Sequence, residues 1–357
     1  MAALWSAADR VPDWPAPHPF GSREWALAWR NVQTDPVRAA RVLHAGRLVA
    51  PFYLIDGSPA WAAFEAEAGV GDIWAGRPVV YGPSPYATYG LNVASPWEIR
   101  TVVEHGLGWA REAGAVAAVF PGLRHPRAWT AVESGIAVRT TGSHEAPVRG
   151  SMAAFKASIG SSKARREFGR QWRRANGAGL RLDALRGTEM TPILPAFTRL
   201  ASAAAARHGV ALYGLDLFHA VAQVPGAVLL AAKHGRKLAG GFLCLRHGST
   251  LYLWAAGLDY ATLPELHTYA WLLAESVSYA AATGAAVVDA GRGNYLVKRR
   301  LGFSPIPLHS VCYLASPDPR LAASLAEMGG RIAAALAQAS AGPAQASAGP
   351  AQELAAS

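Results

Sequence analysis

The sequence contains very little cysteine. Only two of its 357 residues are cysteines, Cys244 and Cys312, and each stands within an apolar run. This pattern shows neither the disulfide framework of a small secreted protein nor the ligand spacing of a cysteine-rich metal site. The histidines show no metal-ligand spacing either. We therefore expect two buried structural thiols, no metal site and no resident cofactor.

Long apolar runs are also missing. No segment approaches the roughly 20 consecutive apolar residues that a transmembrane helix requires. The first residues, MAALWSAADRVPDW, show no basic stretch followed by an apolar one, which is the pattern of a secretory signal peptide. We therefore expect a cytoplasmic protein without a membrane span, and its oligomeric state stays open.

Acidic residues are scarce relative to basic ones. The chain has 24 acidic against 34 basic residues, which gives a formal net charge of +10. Such a charge favours an anionic partner, and nucleic acid, a phosphorylated small molecule and an acidic membrane surface all remain open. Hydrophobic residues make up 51% of the chain, which is enough for the cores of two domains.

The body of the sequence repeats one order of predicted elements. In the first half, RVLHAGRLVAPFYLI predicts two strands joined by a turn at Gly46. In the second half, AVLLAAKHGRKLAGGFLCLRHGSTLYLWAAG predicts three strands with turns at Gly235 and Gly248. The pieces GRLVAPF and GRKLAGGF align with one insertion. This self-similarity indicates a duplicated domain.

A helix with a similar start follows in each half. The tetrapeptides SPWE at 95–98 and TLPE at 262–265 both fit a capping box with proline in the first turn. Each helix leads into a short apolar strand, GAVAAVFPG or GAAVVDAG, and then into a loop, a short helix and another strand. The predicted plan is hairpin, helix, strand, helix, strand, written twice.

These patterns divide the chain into four predicted segments. An N-terminal domain occupies residues 1–150, and a C-terminal domain occupies residues 151–318. A helix follows at residues 319–337. Residues 338–357 contain QASAGPA twice, and their Ala, Gly, Pro and Ser composition predicts a disordered tail.

Three stretches resemble the Fem-like and BioF-like (CelD-like) members of the GNAT acyltransferase superfamily. They are PFGSREWALAWRN near the start, GLDYATLPELHTYAWLLAESVSYAAATGAAVVDAGRG, and the closing motif DAGRGNYLVKRRLGF. The resemblance implies an α/β fold with an α+β mixed sheet, in tandem GNAT-like domains of the Fem-type arrangement, from about Phe20 to Leu314. It also implies amide-forming acyl transfer, with the acyl donor entering a gap where the sheet splays open.

The closing motif supplies the candidate catalytic residues. Asp289 ends an apolar strand at a point where a mixed sheet opens toward a ligand. The resemblance implies that Lys298 stabilises the negative charge that builds on the carbonyl oxygen during acyl transfer. We expect Asp289 and Lys298 to be catalytic and Arg292 to bind the donor. The alternative is a solvated basic helix face, formed by Lys298, Arg299 and Arg300, beside a glycine-rich turn.

The expected pyrophosphate loop of acetyl-CoA-dependent GNAT enzymes is missing. Their Arg/Gln-x-x-Gly-x-Gly/Ala loop offers backbone N–H groups to phosphate. Here the corresponding segment, GLDYATLPELHTYA, has no glycine after Gly257 and carries Pro264 and Glu265 at the predicted helix start. Proline removes a donor and glutamate repels an anion, which argues against ordinary CoA binding at this position. Fem-type enzymes also lack the loop, because their donor is an aminoacyl-tRNA.

A basic helix is predicted at residues 161–176. Within it Phe168 and Trp172, four residues apart, form an apolar anchor. A basic stripe of Lys163, Arg166, Arg170 and Arg174 then faces solvent, where it can follow phosphates without reading sequence. We expect this basic stripe to bind the donor, with tRNA as the expected partner. A solvated charged face is the alternative.

A second loop, VVYGPSPYATYGLN, is the candidate acceptor site. Relatives have a similar loop near the acceptor, which is a small-molecule or peptide amine, so we expect Tyr86 and Tyr89 to bind it. A surface turn with packed tyrosines explains the same residues. His144 and Glu145 are adjacent in sequence, but nothing beyond this proximity indicates that they act together.

The favoured function is amide synthesis from an aminoacyl-tRNA. An acyl-CoA-dependent GNAT N-acyltransferase, whose donor phosphates are held by the basic helix, is the alternative. A non-catalytic nucleic-acid-binding protein on a GNAT scaffold is a third interpretation. It is disfavoured because RNA binders usually place exposed aromatics among the charges, whereas Phe168 and Trp172 are predicted to be anchored.

Overall fold

A computed structural model describes residues 4–6, 14–29, 32, 37–84, 86–93, 95–207 and 214–341. The strands are β1 (Leu4–Ser6), β2 (Val37–Ala45), β3 (Leu48–Asp56), β4 (Pro78–Tyr81), β5 (Ala117–Leu123), β6 (Ile136–Pro147), β7 (Leu180–Leu185), β8 (Ala227–His234), β9 (Lys237–His247), β10 (Thr250–Leu258), β11 (Val287–Asp289) and β12 (Ser304–Leu314). The helices are α1 (Arg23–Ala28), α2 (Pro59–Ala68), α3 (Pro96–Glu112), α4 (Arg127–Thr130), α5 (Met152–Ser158), α6 (Ser162–Gly177), α7 (Leu194–Ala206), α8 (Leu215–Val221), α9 (Leu263–Leu266), α10 (Thr268–Ala282), α11 (Tyr295–Arg300) and α12 (Pro319–Ala341).

The predicted hairpins form with two-residue turns. Gly46, Gly235 and Gly248 each follow the end of a strand with a positive φ, which a tight turn between twisted strands requires. The sequence patterns thus predict β2, β3, β8, β9 and β10 correctly. The elements that the plan omits include β4, β7 and helices α2, α7 and α8.

The twelve strands described above form one sheet, in which the last strand of each half pairs with a strand of the other half. The order is β1-β2-β3-β4-β5-β12-β6-β11-β10-β9-β8-β7. Strand β12, from the second half, pairs with β5 of the first half, and β6, from the first half, pairs with β11 of the second. Strands β6 and β12 pair antiparallel to each other at the centre. The mixed α/β class predicted from the sequence is confirmed.

One of the two predicted capping boxes is correct. At α3, Ser95 Oγ accepts the Glu98 N–H at 3.1 Å and the Glu98 carboxylate accepts the Ser95 N–H at 2.9 Å. At 262–265 the predicted capping box is wrong, because Thr262 has helical backbone angles and no capping bond. The short helix α9 ends at His267, which has a left-handed backbone conformation. Helix α10 begins at the next residue.

Three hydrophobic clusters make up most of the core. The largest spans both halves and joins Trp25 and Trp61 to Phe197 and Phe218. A second cluster packs α10 against the second-half strands, and a third packs α3 against the first-half strands. The halves therefore share one core layer, and each also keeps a layer of its own.

The two cysteines are a further point on which sequence and structure can be compared. Cys244 and Cys312 are buried as expected, and burial raises the pKa of each thiol.

Helix α12 runs to Ala341, and the rest of the predicted tail lies outside the described residues. Within the described ranges, no helix combines the length and apolarity needed to cross a bilayer. The domain boundaries stay predictions.

Candidate active site

Asp289 is a buried carboxylate at the end of β11. It is 1% exposed, and one of its oxygens accepts the Ser143 hydroxyl and, at 2.8 Å, the Gly291 N–H. The other oxygen accepts the Tyr89 hydroxyl at 2.5 Å. Burial raises the pKa of Asp289, and these three donors oppose that rise. The carboxyl group is thus fixed by three hydrogen-bond donors in a buried position.

The register of three neighbouring strands sets the surroundings of Asp289. Tyr252 of β10 and Glu145 of β6 are its direct partners across the sheet. The Tyr89 ring approaches Tyr252 edge-on, with ring centroids 6.1 Å apart, and lies 5.8 Å from the His18 ring. Burial, followed by the Asp289 charge, raises the pKa of Tyr252 to about 12. The site therefore consists of a carboxyl group enclosed by phenol and imidazole rings.

Glu145 and Arg124 connect this cluster to solvent. The Tyr89 hydroxyl lies 2.9 Å from Glu145 Oε1 as well as 2.5 Å from Asp289. Arg124 donates to the same Glu145 oxygen at 2.5 Å, and its guanidinium lies 4.7 Å above the Tyr89 ring. The Glu145 and Arg124 side chains are 28% and 46% exposed.

Lys298 lies behind the loop that follows Asp289. Its Nζ is buried and donates to the backbone carbonyls of Gly291 at 3.1 Å and Arg292 at 2.6 Å. Burial lowers the pKa of Lys298 to about 7, and the Asp289 charge opposes this shift. The two carbonyls account for two of the three N–H groups of an ammonium. The predicted solvated basic face is therefore wrong for Lys298, and its catalytic role stays a prediction.

Arg292 and Tyr86 both take part in contacts between the halves. Arg292 donates to the Ala87 carbonyl at 3.2 Å and lies 5.0 Å above the Phe64 ring. Tyr86 is stacked on Trp29 with centroids 5.0 Å apart, and its carbonyl accepts the Trp254 indole N–H. The donor-binding role of Arg292 and the acceptor-binding role of Tyr86 and Tyr89 stay predictions.

The basic helix forms where it was predicted. Phe168 is buried, and Trp172 packs on the core and donates to Glu275 of α10 at 2.7 Å. The basic stripe faces outward as expected, with Lys163, Arg166, Arg170 and Arg174 all exposed. Arg170 is paired with Glu167 at 2.6 Å, and its charge and that of Arg174 reach His267 at the start of α10.

A family model matches the second half of the chain. Residues 162–299 match the model described as the acetyltransferase (GNAT) domain. This part of the chain is similar to that domain and is called the GNAT domain below. The acyltransferase class predicted from the sequence is thereby confirmed. Among the curated proteins, no sequence matches the chain significantly.

Solved structures match the GNAT domain together with the first half. FemX is 11% identical with a TM-score of 0.57, covering 88% of this chain and 97% of its own. The L-PGS structure from Bacillus licheniformis is 9% identical with a TM-score of 0.54, covering 90% and 99%. The C-terminal domain of a putative lysylphosphatidylglycerol synthetase from Agrobacterium fabrum is 11% identical with a TM-score of 0.53, covering 82% and 88%. At these identities the likeness shows the fold, and the predicted Fem-like arrangement is confirmed.

The first half lacks the equivalent acids. Strands β10, β11 and the exchanged β6 align Tyr252, Asp289 and Glu145, whereas β4, β5 and the exchanged β12 align Tyr81, Val119 and Cys312. In the first half, the space beyond β4, which corresponds to the gap beside β10 in the second half, is filled by the chain itself. The Gly90 N–H donates to the Gly122 carbonyl at 3.0 Å, and a Cβ on Gly122 would stand 2.6 Å from the Thr88 carbonyl.

The gap beside β10 is shaped by the GNAT domain itself. Strands β10 and β11 pair over three residues only, whereas β10 continues to Leu258 and carries an irregularity between Leu253 and Ala255. The loop after Asp289 turns through Gly291 with a positive φ, and a Cβ there would stand 3.0 Å from the Leu253 carbonyl. Asp289 thus lies where the two parallel strands separate.

Sequence reasoning missed most partners of Asp289. Ser143 and Tyr252 carry no motif, and only the strand register brings them to the carboxyl group. Glu145 was noted beside His144, but adjacent residues of a strand point to opposite faces. The His144 ring instead packs 5.3 Å from the Tyr295 ring, and burial lowers its pKa to about 4. The two side chains do not act as a pair.

Proposed function

We propose that the protein is an N-acyltransferase in which Asp289 accepts the proton of the attacking amine. The observation that carries this proposal is the buried carboxyl group at the point where β10 and β11 separate. An amine attacks only in its neutral form, and a base with a raised pKa removes a proton near neutral pH. An ionised carboxylate has about four acceptor positions. Three are used here, which leaves one on the oxygen that Tyr89 contacts.

The carbonyl oxygen of the acyl group gains negative charge during the same step. Lys298 supports the loop beside the gap, and two of its N–H groups are used by backbone carbonyls. Its third N–H group is the candidate donor to this oxygen, provided that the ammonium is protonated. Lys298 would otherwise act through the loop that it positions.

The donor is proposed to be an aminoacyl-tRNA held by the basic stripe. Helix α6 packs on α10, where Asn176 accepts the Trp271 indole N–H at 2.7 Å and Glu275 accepts that of Trp172. The stripe therefore lies beside the helix that follows open strand β10. The connection itself is the short helix α9, with Pro264 and Glu265 exposed, rather than a glycine-rich loop. This favours phosphate contacts on α6 over contacts at the start of α10.

The names of the structural neighbours agree with an aminoacyl donor. One neighbour is FemX, and another is named as a lysylphosphatidylglycerol synthetase, which denotes a lysyl group joined to a lipid. We propose an amine acceptor that approaches from the side of Tyr89 and Arg124, and a cytoplasmic location. A hydroxyl acceptor would be recognised by an ester product in the experiment below.

An acyl-CoA donor is the second candidate. The matching family model is named for acetyl transfer, and the exposed arginines of α6 can hold the phosphates of CoA as well as those of RNA. The two donors differ in the number of phosphates that the stripe can neutralise.

Donor profiling tests the proposal. Purified protein is incubated with a set of charged tRNAs or with a set of acyl-CoAs, each with a mixture of amines, and products are identified by mass spectrometry. We expect an amide that carries the amino acid of one charged tRNA. An amide formed only from acyl-CoA would select the second candidate. Absence of any acyl product with either set, from folded protein, would remove the enzymatic proposal.

A further inference from the structure

Three oxygen atoms form a continuous row between the two halves. Asp289 Oδ2, the Tyr89 hydroxyl and Glu145 Oε1 are joined by contacts of 2.5 Å and 2.9 Å. The Tyr89 loop comes from the first half, Asp289 ends β11 of the second half, and Glu145 lies on the exchanged strand β6. The row therefore exists only when both halves and the strand exchange are in place.

A phenol has one proton, and two carboxyl groups compete for it. If both carboxyl groups were ionised, only one could accept the Tyr89 hydroxyl, and the other would face its oxygen lone pairs. Both contacts are satisfied once the row has taken up one proton, so that one carboxyl group donates to the Tyr89 oxygen. This is the state after Asp289 has accepted a proton, whereas Asp289 acts as the base while both carboxyl groups are ionised. Burial raises the pKa of Asp289, and it also raises the pKa of Tyr89, whose usual value already lies far above that of a carboxyl group. The shared proton therefore belongs to the carboxyl groups, and the phenol stays neutral.

Burial decreases steadily along the row. Asp289 is enclosed, Glu145 is half-buried, and its partner Arg124 reaches solvent. Other polar groups around the row do not interrupt it. Ser143 and Lys298 lie on the Asp289 side, Tyr252 lies against Asp289 from β10, and His18 lies beside Tyr89. Burial lowers the pKa of His18 to about 4, so this ring is neutral near pH 7.

We propose that Tyr89 passes a proton from Asp289 to Glu145 and so to solvent. This inference rests on the proposed role of Asp289 as the base. One N–H bond of the protonated amine breaks as the Asp289 O–H bond forms, and the neutral amine then attacks the acyl carbon. As the C–N bond forms, the bond from the acyl carbon to the donor's oxygen or sulfur breaks, and a second amine proton goes to that departing atom. The Asp289 O–H bond then breaks as a new Tyr89 O–H bond forms, while the original Tyr89 O–H bond breaks and Glu145 gains the proton. Glu145 gives this proton to water, and the Tyr89 hydroxyl rotates back from Asp289 toward Glu145.

The relay explains why a buried base needs a partner. Each amide formed from a protonated amine releases a proton that Asp289 cannot deliver directly, because it is 1% exposed. Glu145 and Tyr89 act through Asp289 and are positioning residues in this scheme. Arg124 donates to the same Glu145 oxygen and marks the end of the row that reaches solvent.

The test reads proton sharing in the free, full-length enzyme. Protein is labelled with ¹³C at the side-chain carboxyl carbons of Asp and Glu, and the signals of Asp289 and Glu145 are assigned from Asp289→Asn and Glu145→Gln. In a pH titration followed by NMR, we expect each wild-type signal to move in the same two steps, because the apparent pKa values of two groups that share a proton belong to the pair. In Tyr89→Phe we expect each signal to move in a single step of its own. Tyr313→Phe, which removes another buried hydroxyl, serves as the matched control and should keep the two shared steps.

Two results would overturn the relay. One is a single, separate step for each of Asp289 and Glu145 in the wild-type enzyme, and the other is that the two shared steps persist unchanged in Tyr89→Phe. A kinetic arm uses the donor found by profiling. Glu145→Ala should lower kcat about tenfold or more with little change in KM, and added formate should restore part of it, which a merely structural loss would not allow. If no donor is used at all, the proposed function fails while the NMR result still decides proton sharing.

Discussion

The Tyr89 hydroxyl lies 2.5 Å from the Asp289 carboxylate, although the two residues are 200 positions apart in the chain. Tyr89 is supplied by the first half and Asp289 by the GNAT domain. The first half therefore completes the site of the second, while its own equivalent position holds Val119 and Cys312. The two halves together therefore form one candidate active site rather than one each.

Tyr89→Phe should destabilise the protein without changing its fold. The substitution removes a buried hydrogen bond to a carboxyl group and leaves Asp289 facing Glu145. The expected loss is about 1.5–3 kcal/mol in the free energy of unfolding, the range for hydrogen bonds to charged groups. Chemical denaturation measures it. Tyr313→Phe, which removes a 2.6 Å bond to the Trp129 carbonyl, should cost less, about 0.5–1.5 kcal/mol. Equal stability of Tyr89→Phe and wild type would argue against the hydrogen bond.

Lys298→Met should alter the pH dependence of stability. Burial lowers the pKa of Lys298 to about 7 in the folded protein, below its usual 10.5. Between these pH values the unfolded chain binds the extra proton, so the Lys298 contribution makes the fold more stable as pH rises from 7. The slope contributed is up to about 1.4 kcal/mol per pH unit. Denaturation at several pH values from 7 to 9.5 should show a flatter profile for Lys298→Met than for wild type.

The control for this experiment is Arg299→Met, the exposed neighbour on the same helix. It should leave the profile unchanged. Lys298→Met should also lower turnover by roughly ten- to a thousandfold, the range for loss of a charge-stabilising donor. Normal turnover in folded Lys298→Met would remove the lysine from the mechanism, and a wild-type slope in the same variant would show that its ammonium is not the titrating group.

Separate halves should not work alone but should work together. Fragment 1–150 lacks β12, and fragment 151–357 lacks β6 with Ser143 and Glu145. Each fragment thus exposes an unpaired strand edge where its missing partner belongs. We expect an equimolar mixture to form one complex, seen by size-exclusion chromatography, and to regain acyl transfer. A fully active fragment 151–357 would contradict the shared site.

Neutralising the basic stripe should weaken donor binding selectively. Lys163, Arg166 and Arg174 are exposed and can be changed together to glutamine without touching the core. For a tRNA donor, the logarithm of affinity should fall steeply with the logarithm of salt concentration, and the triple variant should flatten that slope by up to about three units. Glutamine at Arg236, Lys237 and Arg320, three exposed basic residues elsewhere, is the matched control. An equal loss in the control would mean that general charge, rather than the stripe, binds the donor.

Local patterns predict the elements of this fold more reliably than their pairing. Turn glycines and alternating apolar residues predict the hairpins, and the apolar anchor of Phe168 and Trp172 predicts helix α6. Nothing local indicates that β6 and β12 exchange places, because strand neighbours depend on contacts between distant segments. At 262–265 a helix does begin as the TLPE pattern predicts, but Thr262 makes no capping bond, and His267 takes the left-handed conformation that divides α9 from α10.

The residues of the candidate site likewise fall into those that a local motif predicts and those that only long-range pairing brings in. Asp289 and Lys298 belong to one motif and can be read from the sequence. Their partners can be found only from the register, which aligns Tyr252 and Glu145 with Asp289 and brings Tyr89 across from the other half. Lys298 shows the limit of the motif, because only the structure reveals that its ammonium is buried against the Gly291 and Arg292 carbonyls.

The most direct test of the account is single-turnover amide formation by wild type and Asp289→Asn. The donor is the one that profiling identifies, and product is quantified by mass spectrometry. Asparagine keeps the size of the side chain but is not a base, so the rate should fall by about 10²- to 10⁴-fold while donor binding is kept. Asp318→Asn, which retains an oxygen to cap α12, should react at the wild-type rate. Wild-type amide formation by folded Asp289→Asn would contradict the central claim.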